Sequence, residues 1–167
     1  MPLTVSRDIL CEIGRITVYQ SHIEGQMALF IHELLYMDEA KGNLITFKLR
    51  FWGLMDLLGS LLNSEFDAQN QYVKRFEQFR KDMEKFVPER NNCVHSMWAF
   101  GPTLKSDSAT RLKVVKDKSK GAILESVPVT LNELQEISEA LEQLEWELSD
   151  IRVHVCHYEA SARPSRS

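Results

Sequence analysis

Cysteine is scarce in this chain. Three occur, Cys11, Cys93 and Cys156, widely separated and odd in number, with no C-x-x-C pair. That excludes a disulfide framework and a zinc knuckle, and it fits a reducing cytoplasm. Positive charge is also short: 20 Lys and Arg stand against 24 Asp and Glu, a net charge of -4. A molecule of this balance does not attract nucleic acid as a whole, so any nucleic acid must be met by a local basic patch. No long apolar run is free of charge. The longest, LITFKLRFWGLMDLLGSLL (44–62), holds Lys48, Arg50 and Asp56, each costing about 2.5–3.5 kcal/mol at a bilayer centre. It reads as a buried helix, with an oligomer contact as a further use, and no membrane partner is expected. The opening MPLTVSRDILCE has no basic region leading into an apolar run, so no secretory leader is expected. Internal repeats, low-complexity tracts, and P-loop, Rossmann or serine-nucleophile motifs are missing too.

What remains is a globular composition, with 44% hydrophobic and 26% charged residues among 167. The length suits one domain able to bury a core. The first third predicts one helix over residues 5–38. Ile9, Ile13, Ile16, Gln20, Ile23, Met27, Phe30, Leu34 and Met37 alternate spacings of four and three, a heptad seam with a polar interruption at Gln20. Gly14 and Gly25 lie inside it, and close approach of a neighbouring helix is a reason for them. The 44–62 segment predicts a second helix, entered through Gly42-Asn43. A third covers 67–86, with Asp67 as N-cap and Tyr72, Phe76, Phe79, Met83 and Phe86 on one stripe. Pro88 fits the first turn of a short fourth helix carrying Arg90 through Trp98.

RLKVVKD (111–117), a Lys-Ser-Lys-Gly turn and AILESV (122–127) predict a β-hairpin. The last helix has the clearest start: Thr130-x-x-Glu133 is a capping box, with Val129 and Leu134 as its hydrophobic staple. Leu134, Ile137, Leu141, Leu144, Leu148, Ile151 and Val155 form a second seam. The outer face carries Glu133, Glu136, Glu139, Glu142, Glu145, Glu147 and Asp150, a face that lies away from RNA and suits a basic partner. The expected fold is all-α, an antiparallel bundle of four to five helices with a late β-hairpin insertion at about 103–128. One domain spans 1–158, and 159–167 forms a disordered tail.

The densest chemistry lies in PERNNCVHSMWAFG (88–101). Asn91 and His95 are four apart and share a helical face; Arg90 shares one with Val94 and Met97. A guanidinium on an apolar face needs a carboxylate, an anion or a route to solvent. The plain reading is an Arg paired with a structural acid and a His that caps or packs. The string R-N-x-x-x-H in an otherwise helical chain carries a sharper one.

Arg90-Asn91-Asn92-Cys93-Val94-His95 resembles the signature of the HEPN superfamily, an Arg, a polar residue, and a His after four to six intervening positions. The expected bundle resembles that family's shape over most of the chain. A Tyr that some members carry two residues after the His is Met97 here. The resemblance implies a metal-independent endoribonuclease of a toxin–antitoxin or phage-defence system, or else a catalytically inactive relative that binds RNA or protein. Chemistry agrees with the first. Attack of a 2′-hydroxyl on the adjacent phosphate needs a base and an acid near neutrality and a cation for the phosphorane. His supplies the proton roles and Arg the bidentate phosphate contact. Arg90, Asn91 and His95 are thus the candidate catalytic residues. One motif His per chain implies a homodimer with a composite site, and Phe51, Trp52 and Met55 are interface candidates, as readily ordinary core.

Glu24, beside Ser21, Gly25 and Ala28, is the suggested carboxylate partner of Arg90. Asn92, Lys81 and Lys85, with Lys74, Arg75, Arg80, Lys113, Lys116, Lys118 and Lys120, could track an RNA backbone or simply solvate a face. His154 and His157 share a helical face near Cys156 but lack a second ligand pair, and His22 and His32 lack company, so no metal or other cofactor is expected. RNA, a second copy, and an antitoxin or defence-system protein are the expected partners.

Overall fold

A computed structural model describes residues 6–99, 108–117 and 121–162. The protein is mainly helical. Its order is α1 (Arg7–Leu34), α2 (Glu39–Thr46), α3 (Phe51–Glu65), α4 (Gln71–Val94), β1 (Met97–Ala99), β2 (Ser108–Asp117), β3 (Gly121–Thr130) and α5 (Leu131–Ala162). The strands form one antiparallel sheet in the order β1-β2-β3. Contacts group the chain into two compact units. One holds the residues up to Tyr19 with Lys85–Glu142, the other Gln20–Glu84 with the residues from Gln143 on.

The second of these units is helical. Ile23, Met27, Phe30 and Leu34 of the first seam are buried there, as are Leu144, Leu148, Ile151 and Val155 of the last. The polar interruption, Gln20, is buried and donates to Glu24 at 3.0 Å. Gly25, like Gly14 in the other unit, is exposed, and a Cβ there meets nothing within 4 Å among the described residues, so neither marks a close helix approach.

The expected 44–62 helix is broken in two, and the reason is phase. α3 buries Phe51, Leu54, Met55, Leu58 and Leu62; an unbroken helix would carry that face back through Leu44 and Phe47. Instead Asp38 caps α2 by accepting from the Lys41 backbone N–H at 2.9 Å. The helix then turns Gly42 and Thr46 inward against buried His32. A Cβ on Gly42 would fall on the His32 ring. Thr46 Oγ1 donates to the Gly42 carbonyl at 3.1 Å and lies 3.0 Å from His32 Nε2. That leaves the hydroxyl lone pairs to accept from Nε2–H. Gly42 is thus a packing residue inside a helix. Leu44 and Phe47 are left 80% and 79% exposed. Of the interface candidates Phe51 and Met55 are core, while Trp52 packs edge-on to Phe51 at 5.0 Å and stays exposed.

α4 starts later than expected. Asp67 accepts from Gln69 N–H at 2.7 Å in the preceding turn, and Asn70 accepts from Tyr72 N–H at 2.8 Å. Its buried stripe is Val73, Phe76, Phe79, Met83 and Val87, with Tyr72 and Phe86 only half-buried. α3 approaches it at Gly59, where a Cβ would lie 3.3 Å from the Phe76 ring.

The first unit holds the sheet. No separate fourth helix exists: α4 continues through Pro88 to Val94. Proline costs the helix one N–H donor, but Val87 and Cys93 on either side are buried and hold the chain in register. Trp98, expected on the fourth helix, lies instead in β1, opposite Arg111. The hairpin forms, and Gly121 pairs with Asp117; the expected turn residues 118–120 lie outside the described residues. β3 runs past the expected end, with Pro128 opposite Thr110 on an edge strand that tolerates proline. It leads directly into α5. There the Thr130 backbone N–H donates to Glu133 at 2.7 Å while Glu133 N–H donates to Thr130 Oγ1 at 3.2 Å, the capping box as read. Val129 and Leu134 are both buried. Buried Glu12 of α1 accepts from Ser138 of α5 at 2.6 Å and from Arg15 at 3.2 Å. α5 reaches Ala162, so the first part of the expected tail is helical, and 163–167 lie outside the described residues. Among the described residues no helix is long and apolar enough to cross a membrane.

Candidate functional site

The R-N-x-x-x-H string occupies the last turn of α4, not the first turn of a new helix. Arg90 Nη1 donates to Asn91 Oδ1 at 2.7 Å. Asn91 therefore orients the guanidinium, and its amide nitrogen keeps both donors among the described residues. His95 follows the helix in a bend, its backbone N–H closing on the Asn91 carbonyl at 3.0 Å. Its imidazole is exposed and takes no hydrogen bond among the described residues. Trp98 holds the helix end in place from β1, donating from Nε1 to the Cys93 carbonyl at 2.9 Å. Cys93 is buried, which pushes its thiol up to about 11; it is no nucleophile near neutrality.

The sheet adds cations that reach this turn. Alternation along β2 puts Ala109, Arg111 and Lys113 on one face, with Val129, Val127 and Glu125 opposite them on β3. Lys113 Nζ donates to Asn92 Oδ1 at 3.1 Å, and Arg111 Nη1 lies 3.9 Å from Glu89 Oε2. Lys113 and Asn92, both read as RNA contacts, thus touch each other. Arg111 was read only as part of a strand. Its spacing of two from Lys113, which puts both cations on one strand face, was the available signal.

Elsewhere the candidates are engaged in their own units. Glu24 accepts from Gln20. Arg75 donates to Glu147 at 2.8 Å and to Asp150 at 2.7 Å, and that contact holds the Asp150 carboxyl below the usual range. Arg80 pairs with Asp56 at 2.7 Å, and Lys74 donates to Gln69. These are structural contacts; Lys81 and Lys85 are exposed on α4. Lys116 lies on β2; Lys118 and Lys120 lie outside the described residues. The acidic outer face of α5 is partly used as well: Glu142 pairs with Arg15, Glu145 accepts from Gln26, and Glu147 and Asp150 hold Arg75. That leaves less of it for a basic partner. Cys156 donates to Glu33 at 3.1 Å, and burial with that carboxylate raises its thiol to about 12.

No family model, curated protein or solved structure matches the chain. The chemistry of the site therefore rests on these residues.

Proposed function

We propose that this protein is a metal-independent endoribonuclease of HEPN type, a cytoplasmic toxin or phage-defence component. It acts as a homodimer whose two His95 side chains share one cleft. The observation that carries this reading is the convergence at the end of α4. Arg90 held by Asn91, with Lys113 of β2 on Asn92 and Arg111 near Glu89, lies along the last two turns of α4, and exposed His95 follows directly. Exposed imidazole can take a proton from a 2′-hydroxyl, and the guanidinium can meet the phosphorane oxygens in two parallel contacts. The second copy supplies the acid for the departing 5′-oxygen. Incubating mixed RNA with the protein in EDTA tests it: the expected product ends in a 2′,3′-cyclic phosphate, and RNA that stays intact contradicts the reading.

One observation favours a second reading, an inactive RNA- or protein-binding module. The His95 ring has no orienting partner among the described residues, whereas catalytic imidazoles are commonly positioned by a second group. RNA retained without cleavage would select it.

A further inference from the structure

Between the last turn of α4, the β2–β3 face and the first turns of α5 lies a concavity of about 320 Å³. Its floor is Arg111, whose side chain is only 12% exposed. Glu89 and Glu133 face the guanidinium, but it takes no hydrogen bond among the described residues. Nε is buried without a partner, and the Glu89 oxygen at 3.9 Å is beyond hydrogen-bond distance. Of the other carboxylates in the wall, Glu133 accepts from the Thr130 cap through Oε2 and Glu136 from Asn132 through Oε1, and the Arg111 charge helps to lower the Glu133 carboxyl. Buried donors of this kind are ordinarily filled. Val127, Pro128 and Ile137 supply flat apolar walls, and Glu89 stands half-exposed at the rim.

We propose that this concavity binds a guanine base of the RNA, an inference that rests on the RNA reading above. The size is at the lower end of small-ligand sites, enough for a base. Arginine donors match the adjacent O6 and N7 acceptors of guanine. The Glu89 carboxylate offers two acceptors for the adjacent N1–H and N2–H donors. Adenine puts an amino donor where O6 would be, against the guanidinium. Cytosine and uracil each present only one N–H-bearing position, leaving a carboxylate oxygen unfilled. Glu89 directly precedes Arg90 in the chain, so a base held there leaves its phosphates beside the motif. This makes Arg111 and Glu89 specificity residues rather than catalytic ones.

The test is binding of GMP, AMP, CMP, UMP and inosine monophosphate to the purified full chain, by calorimetry. GMP is expected to bind about tenfold or more tighter than AMP, CMP or UMP, the discrimination of one good bidentate base contact. Inosine monophosphate, lacking the N2 amino group, is expected to be several-fold weaker than GMP. Arg111→Met removes the preference for GMP over AMP. Glu89→Gln, at the exposed rim, removes the difference between GMP and inosine monophosphate. Equal affinity for the mononucleotides, no binding of any, or an unchanged GMP preference in Glu89→Gln overturns the proposal. If Arg111→Met fails to fold, the Glu89→Gln result decides alone. Mononucleotide binding needs no cleavage. Preference for GMP in a protein that cuts no RNA sinks the nuclease reading and keeps this one. Cleavage without base preference does the reverse.

Discussion

Gly42→Ala isolates the contact that sets the phase of α2. A Cβ there falls on the His32 ring, touching Cγ as well as the outer ring atoms, so rotating the ring about its own bond cannot clear it. His32 is buried at 5% exposure and must be displaced. Overpacking of this kind costs about 1–3 kcal/mol, and losing the His32–Thr46 hydrogen bond adds about 1 kcal/mol. Alanine returns up to about 1 kcal/mol of helix propensity. The net expectation is a loss of about 1–3 kcal/mol, a fall in melting temperature of about 3–10 °C for a chain of this size. Gly14→Ala and Gly25→Ala are the controls, since a Cβ at either meets nothing within 4 Å; each should stabilise by about 0.5–1 kcal/mol. Urea unfolding followed by far-UV circular dichroism reads all three. A Gly42→Ala protein as stable as the controls would refute the reasoning.

Thr130→Ala should cost about 1 kcal/mol by removing the side-chain half of the capping box, read by the same urea titration; no loss would mean that β3, running directly into α5, holds the helix start without the cap. Exposed Cys11 should react with a disulfide reagent at pH 8 well before Cys93 and Cys156, and equal rates of all three would contradict the burial described. Both raised thiols also make a pH prediction. Unfolded cysteines ionise near 9.0, whereas folded Cys93 and Cys156 hold their protons to about 11 and about 12. The unfolded state therefore binds fewer protons, and stability is full below about pH 9 and falls as pH rises towards 11. Cys93→Ala should flatten that fall in urea titrations between pH 8 and 10.5.

Much of the fold was legible because its signals are local. The Thr130–Glu133 box and the seams of α1 and α5 need only nearest neighbours along a helix. The break between α2 and α3 was not, because it depends on His32 accepting Gly42 and Thr46 from a different helix. Pro88 misled for a related reason. Its local preference for a first turn yields to burial of Val87 and Cys93, which carries α4 to Val94. β1 is too short to show a period. In the site, the motif string could be read directly, but its neighbours could not: Arg111 and Lys113 meet the turn only through the register of β2.

Cleavage of mixed RNA by the purified protein beside Arg90→Ala and His95→Ala, with melting temperature as the folding control, tests the central claim most directly. The account predicts that each variant folds and cuts at least about 10²–10⁴-fold more slowly than the parent, the worth of a proton-transfer group or of the charge that meets the phosphorane. A folded His95→Ala protein that cuts RNA at the parent's rate would contradict it.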